Sequence, residues 1–256
     1  MKVILKSINT AVLIFLLTSC GSKKDVLYLQ DIEKLNEQSQ AMYSEPVLQP
    51  NDLLYIQVSA FDMEAVAPFN LLSPARNLNE GNTAYRDMIG YLINKDGTID
   101  FPVLGSVKAA GYNRQELTLK LKEALSVYVK SPIVNITLAN FKVTVLGEVM
   151  RPGSYEIKDE RITLLEALGK AGDLTIFGRR DNIIVLREQN GIKTHRIIDI
   201  TKSDFLHSPY YFLQQNDVIY VQPNAPQINS SAYNRNAGVY ISIASVIISI
   251  IVLISK

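Results

Sequence analysis

The residue types that usually carry catalysis or bind metals are few in this chain, and their spacing favours no reaction. His195 and His207 lie in different local settings, and the single cysteine, Cys20, cannot complete a metal site with them. Asp159 and Glu160 stand in a charged run, which is typical of a solvated turn and not of a general acid–base couple. The sequence therefore predicts a protein that is not an enzyme and that needs no cofactor or metal.

Two other patterns suggest a site, but a structural role explains them more simply. The run Gly169-Lys-Ala-Gly172 ends a predicted helix, whereas a phosphate-binding loop has to begin one. The charged residues 179–181 offer contacts for an anionic sugar, although a surface loop is the simpler interpretation. With 26 basic and 25 acidic residues, the chain shows no charge excess that favours nucleic acid or a polyanionic substrate.

The surroundings of Cys20 give the single cysteine a chemical role. Two lysines precede the apolar run 11–17, and small residues follow it, which is the order of a secretory signal. The run is too short to span a bilayer, which takes about 20 apolar residues. The tetrapeptide Leu17-Thr18-Ser19-Cys20 resembles the lipobox of bacterial lipoproteins, and this implies cleavage before the cysteine and acylation of its thiol. The alternative is an ordinary secretory signal that happens to contain a cysteine.

These features predict a signal peptide at 1–19 and a lipidated, polar tether at 20–45. Gly21 and Ser22 follow the cysteine, and no aspartate stands there to retain a lipoprotein in the inner membrane. We therefore expect an outer-membrane protein that is lipid-anchored and faces the periplasm.

The other end of the chain, 238–255, carries no charge and is rich in Ile and Val. As a helix it would measure about 27 Å, and a lone strand cannot satisfy its backbone in lipid, so the run predicts a transmembrane helix. Its small residues form one helical stripe, which suits close helix packing: Gly238, Ser242, Ser245 and Ser249. The stripe either packs against other copies or faces a lumen, or its serines merely dilute a lipid-facing helix.

Between the two ends, the chain repeats itself over a globular part at 46–222, which a polar linker at 223–237 follows. The segment 48–57 is echoed by 213–222, and in both an Asn-Asp turn leads into a strand that contains a tyrosine. Such an echo predicts two units of related construction.

A second echo places one helix in each unit. Two glycine-containing strand motifs, 103–107 and 145–149, each lead toward a capping signal, Asn113-x-x-Glu116 in the first and Thr163-x-x-Glu166 in the second. Since each helix has a small sheet to pack on, the pattern predicts an α+β fold.

The strand pattern adds detail to this expectation. Lys95-Asp96-Gly97 predicts a hairpin turn, and 62–88 has no clear period and suggests a long loop. We expect strands at 52–60, 90–94, 98–103, 133–139, 141–149, 183–187, 195–200 and 217–222.

Taken in order, these motifs resemble those of the bacterial polysaccharide biosynthesis/export proteins. The segments that carry the resemblance are Leu48–Val58, Asp96–Gly105, Ala110-Gly111, Tyr128–Val134, Val143–Val149, Arg151–Tyr155, Thr163–Leu168, Ala171-Gly172 and Gln215–Val221. Within them, the positions expected to serve the fold are Asn51, Asp52, Asp96, Gly97, Gly105, Gly147, Pro152, Gly153, Gly172 and Asp217.

The resemblance implies a polysaccharide-export domain at 46–140, one β-grasp (SLBB) domain at 141–222 and a transmembrane helix at 238–255. It further implies subunits that form a periplasmic ring and conduct polysaccharide, with an inner-membrane polysaccharide co-polymerase, often a tyrosine kinase, as partner. Two departures leave alternatives open. The chain has room for one SLBB repeat where the best-known architecture has two, and the terminal helix is too uniformly apolar for a pore lining. A glycan- or peptidoglycan-binding module without a channel is the second hypothesis.

Overall fold

The structure, a computed structural model, describes residues 26–35, 45–71, 89–189, 191–231 and 237–254. Over these ranges the fold is α+β, as the sequence predicts. The strands are β1 (Leu53–Ser59), β2 (Tyr91–Leu92), β3 (Thr98–Phe101), β4 (Gly105–Lys108), β5 (Ile133–Leu138), β6 (Lys142–Gly147), β7 (Gly153–Glu156), β8 (Gly178–Gln189), β9 (Ile192–Ile198) and β10 (Val218–Pro223). The α-helices are α1 (Met63–Val66), α2 (Arg114–Leu125), α3 (Leu164–Lys170), α4 (Ala225–Ser231) and α5 (Ala237–Ile254).

The first unit packs α2 on a three-stranded antiparallel sheet of order β2-β1-β5, beside the hairpin β3-β4. Alternate residues of β1 are buried, and α2 covers them with leucines spaced four residues apart. The core residues that share this interface are Leu54, Ile56, Val58, Leu117, Leu121 and Leu125. Fully burying a leucine side chain contributes about 1.5–3 kcal/mol, so this interface supplies much of the unit's stability.

The second unit packs α3 on one face of a mixed sheet of order β7-β6-β10-β8-β9. The central pair β6 and β10 is parallel, and the other neighbours are antiparallel. The inward residues of the central strands form its core with α3: Val143, Val145, Ile219, Val221, Ile183, Val185, Leu164 and Leu168.

Both predicted helix starts are confirmed. The side chain of Asn113 accepts the N–H of Glu116, whose carboxylate in turn accepts the N–H of Asn113. Thr163 and Glu166 form the same reciprocal pair at the start of α3. Each box satisfies two backbone donors that a helix start otherwise leaves free.

The Asn-Asp echo is a repeated turn. Asn51 and Asn216 have φ angles of 72° and 64°, in the left-handed region that asparagine tolerates. The carboxylate of Asp52 accepts the N–H of Gln49 at 2.9 Å. At the second turn, Asp217 accepts the N–H of Gln214 at 2.8 Å. Each aspartate thereby closes the turn that precedes its own strand.

The two carboxylates differ in how their charge is balanced. Asp217 is fully buried and paired with Arg187, itself only 7% exposed, at 2.7 Å. Burial raises the pKa of Asp217, and the hydrogen bond and charge of Arg187 oppose that rise. Asp52 is 4% exposed, and no ion pair of it is seen among the described residues. Burial raises the pKa of Asp52 to about 6, because a single backbone N–H from Gln49 offsets only part of the desolvation.

The strand predictions fail mainly at short polar strands. The strands β4 and β7 have too few apolar residues for a periodic pattern. The expected strand at 98–103 ends at Phe101, because Val103 turns the chain with a φ of 67°. The expected loop at 62–88 begins with α1 and a 3₁₀ turn, and its residues 72–88 lie outside the described ranges.

The expected transmembrane helix at 238–255 is wrong: within the described ranges, no helix combines the length and apolarity that a membrane crossing needs. The helix α5 has 18 residues and measures about 27 Å, which is short of a hydrocarbon core of about 30 Å. Gly238 and three serines also interrupt its apolar surface.

We predict that Asp52→Asn stabilises the protein at pH 8. The folded state binds a proton at Asp52 more tightly than the unfolded state, so the free energy of unfolding of the wild type falls as pH rises from about 4 to 6. A pKa unit is worth about 1.4 kcal/mol, which bounds the gain at about 3 kcal/mol. Asparagine cannot ionise, and its carbonyl oxygen still accepts the Gln49 N–H. Urea unfolding between pH 4 and pH 8 measures both the gain and the lost pH dependence.

The matched control is Asp217→Asn at the equivalent turn. It leaves the buried guanidinium of Arg187 without its counter-charge, and we expect a loss of about 3–5 kcal/mol. Equal destabilisation by the two substitutions at pH 8 would contradict this account of Asp52.

Candidate functional site

Residues 26–35 form a segment that docks on the second unit, and we call it the docking segment. The N–H groups of Leu29 and Gln30 donate to the carbonyls of Ile200 and Thr201 at 3.1 and 2.7 Å. At the next residue, the carboxylate of Asp31 accepts the N–H of Ser203 at 2.6 Å. This hydrogen bond is the main cause that lowers the pKa of Asp31. The segment is thus held by two backbone hydrogen bonds and by one side-chain acceptor.

Aromatic and charged contacts hold the start of the same segment. The hydroxyl of Tyr28 donates to Asp173, and the guanidinium of Arg180 lies 5.5 Å from the centre of the Tyr28 ring. Arg180 is 6% exposed and also donates to the carbonyls of Thr175 and Gly178. Burial and the contact with Asp173 raise the pKa of Tyr28 well above its usual value, so the hydroxyl remains a donor.

The docking segment limits how far the second unit lies from the expected lipidation position. Val26 is the first described residue and stands six positions after Cys20. Six residues span about 20 Å when fully extended. Cys20 itself and the expected lipobox residues Leu17, Thr18 and Ser19 lie outside the described residues.

The two units meet at Asn140, which links the two repeated turns. Its side chain accepts the N–H of Leu53 at 2.9 Å and donates to the carbonyl of Asn51 at 3.1 Å. Gln215 of the second turn donates to the Asn140 carbonyl at 2.7 Å and accepts the N–H of Lys142 at 2.8 Å. Each of the two amide side chains both donates and accepts a hydrogen bond, so the geometry of the junction is defined by directional bonds as well as by apolar contact.

A small cleft of about 70 Å³ opens beside this junction. Its floor is apolar, and its rim is charged. On the rim, Arg114 makes a bidentate ion pair with Glu160 of the second unit and lies 3.8 Å from Glu45. The hydrogen bond from Arg114 lowers the pKa of Glu160. Glu160 is 67% exposed, so water screens the pair, and it adds under about 1 kcal/mol to the contact between the units.

The cleft is better suited to positioning than to chemistry. Its side chains offer no nucleophile next to a base, and the described residues contain no group of three or more His, Cys, Asp or Glu arranged around a metal position. The geometry provides two units with a hydrogen-bonded junction and a docked segment at 26–35.

Comparison with known proteins adds to this architecture. Residues 40–139 match the polysaccharide biosynthesis/export protein family, and residues 141–221 match the SLBB domain. Residues 40–139 therefore belong to the polysaccharide biosynthesis/export protein family, and an SLBB domain follows them. The resemblance inferred from the motifs is therefore confirmed, and we call residues 40–139 the export domain and residues 141–221 the SLBB domain.

Two curated relatives carry the same name, EPS I polysaccharide export outer membrane protein EpsA. The protein from Ralstonia solanacearum is 34% identical over 90 residues, which are 34% of this chain and 24% of the relative. The protein from Ralstonia nicotianae is 35% identical over 88 residues, which are 33% of this chain and 23% of the relative. The matched segments thus span about a quarter of the length of these relatives.

The motif glycines of the family serve the fold where their environment is described. Gly147 ends β6 with a φ of 88°, and a Cβ there would stand 2.0 Å from the carbonyl oxygen of Val221. Gly97 has a φ of 82° in the turn before β3. The remaining expected positions also lie at turns or strand starts: Asp96 in the turn before β3, Gly105 at the start of β4, Pro152 and Gly153 at the start of β7, and Gly172 after α3.

The small-residue stripe of α5 directs its hydroxyls inward along the helix. Ser242 donates to the carbonyl of Gly238, Ser245 to that of Ser242, and Ser249 to that of Ser245, at 2.8–2.9 Å. These hydroxyl protons are therefore used within the helix and are not offered to a neighbour.

Several residues that position the units were not predicted from sequence motifs. Arg180, assigned to a surface loop from the run 179–181, is a buried residue of β8, while its neighbours Arg179 and Asp181 form an exposed ion pair. Arg187 continues the inward-facing row of β8 after Ile183 and Val185, and this period-2 pattern was the available signal. Tyr28 and Asp31 sit in the segment predicted to be a polar tether, where the apolar run at 26–29 was the available signal of docking.

We predict that Asp31→Ala loosens the docking segment. The substitution removes the acceptor of the Ser203 N–H, so trypsin cleavage after Lys34 should become several-fold faster while the SLBB domain stays folded. Glu33→Ala, on the same segment and without such a bond, should cleave at the wild-type rate. Asp31→Asn retains an acceptor and should remain close to the wild type. Equal rates for Asp31→Ala and Glu33→Ala would show that this hydrogen bond does not hold the segment.

Proposed function

We propose that this chain is a non-enzymatic component of a machine that exports extracellular polysaccharide across the outer membrane. The observation that carries the proposal is the tandem match of an export domain and an SLBB domain over residues 40–221. The names of the EpsA relatives support both the export role and the outer-membrane location. The exported polysaccharide is then a substrate that is conducted without any bond being made or broken.

Acylation of Cys20 attaches this component to the membrane. Several acyl chains give stable attachment, where a single chain binds only marginally. The docking segment supports a defined orientation, because its contacts to Ile200, Thr201 and Ser203 tie the chain that follows Cys20 to the SLBB domain. With about 20 Å of chain between Cys20 and Val26, the SLBB domain lies close to the periplasmic face of the outer membrane. The export domain then points toward the periplasm.

The working form is an oligomeric ring that conducts polysaccharide, with an inner-membrane polysaccharide co-polymerase, often a tyrosine kinase, as partner. The family resemblance supports both parts of this proposal. A ring requires a rigid subunit, and the paired amide contacts of Asn140 and Gln215 supply one by fixing the angle between the two domains. The competing function is a glycan- or peptidoglycan-binding module that works as a monomer.

Deletion of the gene tests the export role. We expect loss of surface polysaccharide and retention of the polymer inside the envelope, both measured by glycan staining of fractionated cells. Normal surface polysaccharide in the deletion strain, with polymer synthesis verified, would refute the export role. The mass of the detergent-extracted protein tests the ring, since a monomer favours the binding module.

Cys20→Ala tests the anchor. We expect the protein to lose its outer-membrane location and its acyl chains, and the strain to lose most of its surface polysaccharide, while both domains remain folded. Ser22→Ala, two positions away and not acylated, is the matched control and should behave as the wild type. Membrane fractionation with mass spectrometry of the N-terminus gives the readout. A Cys20→Ala protein that still reaches the outer membrane and restores export would contradict the role of the anchor.

A further inference from the structure

Among the residues that the structure describes, two strands of the export domain have an edge with no other strand beside it: β5 of the sheet and β4 of the hairpin. The sheet β2-β1-β5 and the hairpin β3-β4 are joined by the turn before β3, where the N–H of Asn94 donates to the carbonyl of Thr98 at 2.8 Å. The rings of Tyr91 and Phe101 stack across this join with their centres 5.3 Å apart. These contacts place β2 and β3 side by side as the arms of a hairpin, although only the turn bond joins them and β3-β4 remains a separate hydrogen-bonded pair. The strands therefore lie in the order β4-β3-β2-β1-β5, and an edge strand presents unpaired backbone groups.

The outward backbone groups of β5 are those of residues on its buried face. The N–H of Ala139 donates to the carbonyl of Leu53 at 2.7 Å, in register with the pair Leu54 and Leu138. Since antiparallel pairs alternate between bonded and non-bonded, the N–H and C=O groups of Val134 and Ile136 point away from β1. The side chains of both residues are buried in the core.

The outward backbone groups of β4 are those of residues on its solvent face. The N–H of Ala109 donates to the carbonyl of Gly97 at 2.9 Å, in register with β3. By the same alternation, the N–H and C=O groups of Ser106 and Lys108 point away from β3. Both side chains are exposed, whereas the intervening Val107 packs toward the core.

The directions of these backbone groups, together with the faces of their side chains, allow only one way of joining β4 to β5. In an antiparallel pair, two residues whose N–H and C=O groups point toward each other lie directly opposite. Since these residues are on the buried face in β5 and on the solvent face in β4, antiparallel pairing would set a buried face beside a solvent face. In a parallel pair, a residue whose N–H and C=O point toward the partner strand lies opposite a residue whose N–H and C=O point away from it. Val134 and Ile136 then lie opposite residues of the β4 core face, and Asn135 lies opposite a solvent-face residue such as Ser106. Parallel addition therefore keeps both faces continuous.

The direction of the strands agrees with the hydrogen-bond phase. The hydrogen-bonded pairs β1-β2, β1-β5 and β3-β4 are antiparallel, and β2 and β3 run in opposite directions on either side of the turn at 95–97. The strands β4 and β5 therefore run in the same direction. A second copy related by rotation about an axis along the strands keeps this direction and brings its β4 parallel to β5. Direction, hydrogen-bond phase and face are separate properties, and all three agree.

Space for the added strand lies beside β5. An open groove of about 420 Å³ separates the edge of β5 from the first turns of α2. Its wall includes Leu119, an apolar residue that is 66% exposed. A parallel β4 would bring Val107 to this wall, on the core side of the layer. Neighbouring strands stand about 4.8 Å apart, which a groove of this size accommodates.

We propose that β4 of a second copy of this chain adds in parallel to β5, so that the hairpin β3-β4 of one copy extends the sheet β2-β1-β5 of the next and builds the ring of the export domain. The contact is head-to-tail, so each copy uses one edge to bind and offers the other, and repeated rotation closes a ring. The proposal rests on the oligomeric conduit put forward above and specifies its interface. A two-fold β5–β5 pair is the competing arrangement, and it stops at a dimer.

Pairs of introduced cysteines on the full-length, detergent-extracted protein test the interface. The native Cys20 does not interfere, because acylation blocks its thiol. Ser106→Cys is combined with Ile133→Cys, Asn135→Cys or Thr137→Cys, which cover three registers on the solvent face. Opposite Cα atoms at about 4.8 Å fall within the range of a disulfide. For one register we expect copper-catalysed oxidation to convert most of the monomer into a ladder of covalent multimers that reduction reverses. Mixing the two matching single variants should give dimers only.

The matched control pairs Ser106→Cys with Gln57→Cys, which lies opposite Asn135 one strand further in. At about 10 Å this pair is out of disulfide range and should stay monomeric on the gel. Disulfide-linked dimers from Asn135→Cys alone would establish the two-fold pair and overturn the proposal. Absence of cross-linking in all three registers, in protein whose mass shows a ring, would overturn this interface but leave the export role intact. A monomeric mass would instead refute the ring itself.

Discussion

Each of the two sheets depends on a carboxylate that is buried at the turn before its strand. Asp52 and Asp217 accept backbone N–H groups from residues three positions earlier, so each fixes where its strand begins. A strand that slips by one residue exchanges its buried and exposed faces, which makes this fixed start essential to both cores. The two buried carboxylates are accommodated differently. Asp217 is paired with Arg187, whereas burial raises the pKa of Asp52 to about 6, which favours its neutral form.

The same turns also set the angle between the domains. Asn140 bonds to the turn of the export domain, while Gln215 of the second turn bonds to Asn140 and to the start of β6. Because amide groups bond in defined directions, the junction transmits the position of one sheet to the other. The docking segment adds a third fixed point on the SLBB domain. A junction with defined bond directions suits the oligomeric conduit proposed above.

The two edge strands of the export domain, β4 and β5, bear on how copies of the chain could assemble. An edge strand is a liability in a monomer, since it invites pairing with other chains. Here the two edges of the export domain match each other in direction, in phase and in face, and a match of this kind is what a closed assembly requires. The exposed Leu119 beside β5 fits the same interpretation, because an added strand would cover it.

The sequence by itself determined the family, the α+β class, both helix caps and the repeated Asn-Asp turn, because these are local patterns of a few residues. It did not predict β4 and β7, whose short polar stretches become strands only through pairing with a neighbour. It also overestimated the terminal helix, since a charge-free run does not by itself provide the length and apolarity of a membrane span. The tertiary structure alone decided the burial of Arg180, the docking of Tyr28 and Asp31, and the partner of Arg114. Such contacts join residues far apart in sequence, and no local pattern records which distant residue completes a hydrogen bond or an ion pair.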